Sequence, residues 1–242
     1  MRRLTTVASL IMLAVAVPAT AQNAAPGKEI VAAVADGARP AADTARDALR
    51  KPAEIVAFAG VRPGDKVAEI APGGGYYTRI LAKAVGPQGK VYALMPAFFA
   101  SRPGGLDAIN ALAKEYGNIE VVVVDYAETR LSEPVDLVWT TENYHDLANG
   151  DIDTVNMWVF DALKPGGIYF VEDHSAPGTG TSATNTLHRI DPAAVIQQVS
   201  SSGFALDAES DLLHNPDDTH DVNPREAKPT SDKFALRFRK TG

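Results

Sequence analysis

Between Val67 and Val85 the chain runs from apolar residues into Ala71-Pro72-Gly73-Gly74-Gly75 and out into Ile80, Leu81, Ala84 and Val85 at helical spacing. This order reads as a β-strand, a glycine turn and an α-helix. Glycines at such a turn accept positive φ and let a ligand approach the main chain without meeting a Cβ. The helix that follows directs its free N–H groups at the same point. Many α/β domains carry such a turn merely to pack helix against strand, and a nucleotide-like ligand site is its other reading; the rest of the chain is ordered around it.

Downstream the pattern alternates. Lys90 to Met95 is expected as a second strand, Leu106 to Tyr116 as a helix, Ile119 to Val124 as a third strand, Val135 to Thr140 as a fourth, Ile152 to Leu163 as a helix and Gly167 to Glu172 as a fifth strand. The third strand is apolar throughout its end, as in a central strand covered on both faces. Strands alternating with helices imply right-handed crossovers and a mainly parallel sheet. A helix from Asp191 to Ser202 and two late strands, Phe204 to Ala208 and Lys233 to Arg239, break the rhythm, and the late pair is expected to be antiparallel at the edge of the sheet. Between those two strands runs a polar loop from about Leu213 to Asp232, with a lid over a pocket and a solvated connector as its two readings. Upstream, Asp43 to Ala59 is helical with Pro52 as an interruption, and residues 22–42 read as a loosely held arm.

The chain opens on Met1-Arg2-Arg3, an apolar run from Val7 to Val17 and Pro18-Ala19-Thr20-Ala21. These are the three parts of a secretory signal peptide, with cleavage expected after Ala21 and a secreted or periplasmic product. The run is short for a bilayer span, and no membrane span is expected after cleavage. The divisions expected are therefore a signal peptide over 1–21, an arm over 22–42 and a single domain over 43–242.

Formal charge is −7, and the first 21 residues contribute two arginines and no acid, so the remainder carries −7 − 2 = −9. Such a surface repels phosphate backbones and argues against a nucleic-acid partner. The chain has no cysteine, which excludes thiol nucleophiles and thiolate metal sites.

Ligands of open α/β sheets lie beyond the carboxyl ends of the strands. The residues there are Glu69 and the glycines, Met95-Pro96, Asp125-Tyr126, Glu142-Asn143-Tyr144-His145-Asp146 and Glu172-Asp173-His174. A histidine at such a place can act as a general base near neutral pH. Two histidines with neighbouring carboxylates can equally ligate a metal, and His145 with His174 is the pair this reading offers. Arg189 reads either as a contact for an acidic substrate group or as a salt-bridge partner of Asp191.

The pattern Glu69-x-Ala71-x-Gly73-x-Gly75 resembles the first motif of the class I S-adenosylmethionine-dependent methyltransferases, with Ala71 where that family usually has its first glycine. The element count from about Pro52 to Lys240 resembles the same fold: a Rossmann-like, doubly wound α/β sheet of seven strands, mostly parallel, with an antiparallel C-terminal strand. Arg50-Lys51-Pro52, Asn143-Tyr144-His145-Asp146, Glu172-Asp173-His174 and Asp232-Lys233-Phe234 together look like a group of exported bacterial methyltransferase-like proteins. The resemblance implies S-adenosylmethionine as cofactor, held by Glu69, Ala71, Pro72, Gly73, Gly74, Gly75 and Tyr77 at the first turn. It also implies contributions from Met95, Asp125, Tyr126 and Asn143 at later strand ends. Asp125 matches the position whose carboxylate accepts from the adenine amino group. Met95 departs from the family, which has an acid there to hold the ribose hydroxyls, and a thioether accepts hydrogen bonds only weakly. His145, Tyr144, Asp173 and His174 occupy the places implied for catalysis, with a small molecule as substrate. A ligand-binding module that kept the fold without the reaction, and a metal-dependent enzyme using His145 and His174, are the alternatives.

Overall fold

The computed structural model describes residues 25–242, so the signal-peptide reading of 1–21 lies outside the described residues. Four helices precede the sheet: α1 (Lys28–Val34), α2 (Ala41–Thr44), α3 (Asp47–Arg50) and α4 (Pro52–Ala59). Then follow β1 (Lys66–Ile70), α5 (Tyr76–Val85), β2 (Lys90–Pro96), α6 (Ala97–Ala100), α7 (Asp107–Tyr116), β3 (Ile119–Val124), β4 (Val135–Thr141), α8 (Tyr144–Leu147), α9 (Ile152–Ala162) and β5 (Leu163–His174). The chain closes with α10 (Thr184–Leu187), α11 (Pro192–Ser201), β6 (Phe204–Ser210) and β7 (Lys233–Lys240).

The seven strands form one sheet in the order β3-β2-β1-β4-β5-β7-β6. Strands β1 to β5 pair in parallel, and β7 enters antiparallel between β5 and β6. The late pair is thus antiparallel as expected, with its last strand inserted inside the sheet and the earlier one displaced to the rim. The order reverses direction between β1 and β4, which makes the ends of those two strands the switch point where ligands of such sheets gather.

Alternate residues of the strands face opposite cores. Val67 of β1, Trp139 of β4 and Phe170 of β5 belong to one apolar cluster with α1, α4 and α5, and Ala68, Val138 and Val171 belong to the other with α9 and α11. On the first face Phe58, Phe170, Trp139 and Tyr77 form a continuous ladder of rings, with successive centroids 6.2, 4.4 and 4.8 Å apart.

Two expectations are corrected. The apolar third strand is the edge of the sheet, and Val123 is 45% exposed there. A run of valines fits an edge as well as a centre because β-branching favours the pleated backbone at both. The arm, in its described part, is packed: α1 buries Ile30 and Ala33, and buried Arg39 bonds to Asp47 of α3. Its small residues lie close against α5, and their smallness masks the helical spacing.

Candidate active site

The turn after β1 is tight and one-sided. Ala71 takes φ 50° and Gly73 φ 57°, while the Gly75 N–H closes the turn on the Pro72 carbonyl at 3.0 Å. The three glycines serve different ends. Gly75 takes φ 82°, which favours glycine, and a Cβ on it would stand 2.2 Å from Leu112 Cδ1 and displace that side chain; Cβ atoms on Gly73 or Gly74 would meet nothing within 4 Å. An open face at a strand-to-helix turn is the place where a ligand can touch main chain. Glu69, one residue short of the strand end, is buried with Oε2 unpaired, and burial pushes its carboxyl up to about 7. The Thr78 hydroxyl and the Arg79 charge lower the carboxyl without offsetting its burial, and a buried Oε2 with no hydrogen bond beside an open glycine turn fits a ligand that brings a cationic donor, as the amino group of S-adenosylmethionine would.

The other residues implied for that ligand fall in different surroundings. Tyr77 is buried in the ring ladder, with its hydroxyl unpaired. Met95 is 6% exposed and belongs to the apolar core at the end of β2. Asp125 is exposed and accepts from the Ala127 N–H at 2.9 Å, an Asx turn that leaves its other oxygen toward solvent. Tyr126 turns its ring onto Trp158, 5.5 Å between centroids, in the cluster on the opposite face from Glu69. Asn143 bridges strand ends: its Nδ2 donates to the Ile70 carbonyl at 3.1 Å and to the Thr141 carbonyl at 2.9 Å, tying β4 to β1 at the switch point.

Beyond β4 and β5 the structure gathers a dense polar group. The Asp173 carboxylate is fully buried; one oxygen accepts the His145 backbone N–H at 2.8 Å, and the other lies 2.8 Å from His145 Nδ1 and accepts the His174 N–H at 2.7 Å. That contact assigns the His145 proton to Nδ1 and leaves Nε2 as the free atom. Burial pushes the His145 imidazole down, and the bond to Asp173 outweighs it, so its pKa lies above the ordinary value. His174 points elsewhere: its Nδ1 meets Ser231 Oγ at 2.7 Å, and burial lowers its pKa to about 4. Tyr144, placed with the catalytic residues by sequence position, lies at zero exposure beneath the site, where its hydroxyl accepts from Asn156 and contacts Gln198. The helical twist of α8 directs its first side chain into the core and its second into the site.

Beside the dyad lies a charge cluster. Glu142, at φ 54°, pairs with both Arg50 and Lys233. Burial raises its carboxyl, and Lys233 and Arg50 outweigh that and hold it at about 2. Behind it Glu172 is 1% exposed, 3.4 Å from Lys233, with neither oxygen hydrogen-bonded, and burial raises its pKa. Arg50 also stands over the rings of Tyr76 and Tyr77, at 4.8 and 5.8 Å, and so joins this cluster to the helix that leaves the glycine turn.

A cavity of about 610 Å³ opens over these groups, lined by Arg50, Glu142, His145, Asp146, His174 and His188 on one side and by residues 223–231 on the other. The long loop therefore forms a wall of the site. It is pinned there by fully buried Arg189, whose guanidinium grips Asp218 at 2.8 and 3.1 Å. Neither sequence reading of Arg189 holds: it meets Asp218 instead of Asp191 or a substrate, and Asp191 caps α11 through the Ala193 N–H. His188 is the residue whose place the sequence does not reveal. It sits at φ 51° after α10, with its ring 5.5 Å from that of His145.

Neither family models nor curated protein sequences match the chain. Solved structures do. A SAM-dependent methyltransferase from Aquifex aeolicus superposes with a TM-score of 0.59 at 17% identity, over 81% of this chain and 92% of that one. The fold is that of the class I methyltransferases. The N-methyltransferase NodS from Bradyrhizobium japonicum matches the same fold with a TM-score of 0.56 at 14% identity, over 82% and 97% of the two chains. The 4+2 cyclase SpnF does so with a TM-score of 0.58 at 15% identity, over 88% and 91%. A methyltransferase fold thus carries more than one chemistry, and the activity of this chain has to be argued from its own residues. Among the described residues no helix is long and apolar enough to cross a membrane.

Proposed function

We propose that this protein is an S-adenosylmethionine-dependent methyltransferase of small molecules, exported on the signal peptide read in residues 1–21. The observation that carries the reading is the unpaired, buried Oε2 of Glu69 beside a glycine turn whose open face would admit a ligand. Glu69 and the backbone of Gly73 and Gly74 would hold the methionine part of the cofactor, and Asp125 the adenine. When bound, the cofactor supplies an electrophilic methyl group.

The chain's own residues supply position and a proton acceptor. Methyl transfer depends above all on alignment, and Arg50, spanning the tyrosines of α5 and Glu142, connects the wall of the acceptor cavity to the cofactor turn. His145 Nε2 faces the cavity, with Asp173 fixing tautomer and ring, and takes the proton of an acceptor hydroxyl or amine. Residues 223–231 limit the acceptor to something of small-molecule size.

A second reading, a binding module on the same fold, is favoured by Met95, since the ribose hydroxyls lack a carboxylate at that strand end. Cofactor carrying a labelled methyl group, incubated with a panel of small hydroxyl and amine acceptors, separates the two. Transfer by the wild type that is lost in His145→Ala, with binding of S-adenosylhomocysteine kept, supports the enzyme. Binding without transfer to any acceptor supports the module.

A further inference from the structure

The donor atoms around the free nitrogen of His145 are spaced for a metal ion. Asp146 Oδ1 lies 3.5 Å from His145 Nε2 and 3.5 Å from His188 Nδ1, and all three atoms fall within 4.8 Å of one another. These separations are longer than N–H···O hydrogen bonds, which cluster at about 2.7–3.2 Å. The two separations from Asp146 are close to the roughly 3.3–3.4 Å between ligands of a tetrahedral ion with bonds of about 2.0–2.1 Å. His145 is backed by a carboxylate on its other nitrogen, the Asp173 contact at 2.8 Å, which is the arrangement that orients metal-binding imidazoles and raises their basicity. His188 is held at φ 51°, a conformation that costs a non-glycine residue free energy and that brings its ring face to edge with His145. The left-handed turn is the C-cap of α10, and it leaves the His188 ring half-exposed beside His145.

We propose that His145, Asp146 and His188 form a binding site for a divalent first-row transition ion, Zn²⁺ above all, whose remaining positions open on the acceptor cavity. Two imidazoles and one carboxylate are the ligand set of open, substrate-accepting sites. With Nε2 engaged, the ion would meet the acceptor in place of the bare imidazole and lower the pKa of an acceptor oxygen, whose proton would then leave to solvent and not to His145, which selects acceptors bearing an oxygen donor. That consequence rests on the methyltransferase reading; the site itself rests on the geometry of the three residues alone. His174, the other histidine of the region, is engaged by Ser231 and stands outside the set.

The test is titration of the folded protein, residues 22–242, with Zn²⁺ by calorimetry and with Co²⁺ by visible absorption, beside four variants. The wild type is expected to bind one ion per chain. His188→Ala and Asp146→Ala, which remove half-exposed side chains, are expected to weaken binding at least tenfold, and Asp173→Asn by about 10–100-fold through the second nitrogen of His145. His214→Ala, at an exposed histidine on Asp232, is expected to bind like the wild type. No binding at one equivalent, or equal binding by wild type and His188→Ala, overturns the site. S-adenosylhomocysteine is titrated into the same samples: metal failure with that ligand still bound removes the metal site alone, and ligand failure with the ion bound removes the methyltransferase reading and leaves the site standing.

Discussion

The Asp173 carboxylate grips His145 twice, at the backbone N–H and at Nδ1, each at 2.8 Å. One residue thus sets both where α8 begins and which imidazole nitrogen faces the cavity. Position and tautomer come from a single buried charge, which itself is satisfied by three donors.

Asp173→Asn is therefore expected to cut methyl-transfer turnover by about 10²–10³-fold, within the range that a positioned proton acceptor contributes. Affinity for S-adenosylhomocysteine, whose proposed contacts are Glu69, the β1 turn and Asp125, stays within about twofold. Single-turnover kinetics beside a binding titration check both parts.

Glu69 makes stability depend on pH in a direction unusual for a carboxylate. Its folded pKa of about 7 stands above the ordinary 4.5, so the folded state holds a proton that the unfolded chain releases. Stability then falls as pH rises from 4.5 through 7 and levels off above, by about 3 kcal/mol over the window. Urea denaturation from pH 4.5 to 8 should show that slope in the wild type and a flatter one in Glu69→Gln. The same variant should bind S-adenosylmethionine at least roughly tenfold more weakly, since a charged hydrogen bond is lost.

Glu142 runs the other way. Its pKa, held at about 2 by Lys233 and Arg50, makes it a source of stability above pH 4.5 that disappears as pH falls toward 2. Lys233→Met removes one of the two cations and leaves Glu172, already without a hydrogen bond, facing Glu142. The loss expected at pH 7 is about 3–5 kcal/mol, the range for breaking a buried pair from one side. Denaturation midpoints at pH 7 and pH 3 measure it, and the difference between wild type and variant should shrink at the lower pH.

Ala71 occupies φ 50°, where a Cβ costs about 1–2 kcal/mol. Glycine would remove that strain and lose roughly 0.5–1 kcal/mol to backbone entropy. The relief of strain equals or outweighs the entropy loss, so Ala71→Gly should raise stability by up to about 1.5 kcal/mol, measured by urea denaturation at fixed pH.

The strand, turn and helix around Gly73 to Gly75 are readable from residues alone because each is a local pattern, and the alternation of elements carries the sheet class with them. What escapes depends on partners far along the chain. Arg50 meets Glu142 across 92 positions and Arg189 meets Asp218 across 29, and no local period marks either pair. The same holds for the burial of Tyr126 and Tyr144: a tyrosine beside a strand end looks equally suited to a ligand and to a core, and Trp158 and Asn156 decide it. Strand β3 shows a different limit, since valines report the backbone they favour and not the number of neighbours. His188 carries no local signal as a turn residue without glycine, although its left-handed backbone is what brings it to His145.

The central claim is that the bend after β1 receives an adenosyl ligand, and Gly74 offers the most direct test because a Cβ there would meet no protein atom within 4 Å. Calorimetric titration with S-adenosylhomocysteine should give one site per chain in the wild type and a loss of at least about tenfold in affinity for Gly74→Leu, with the melting temperature unchanged. No heat at millimolar ligand, or equal affinity in the two proteins, would contradict it.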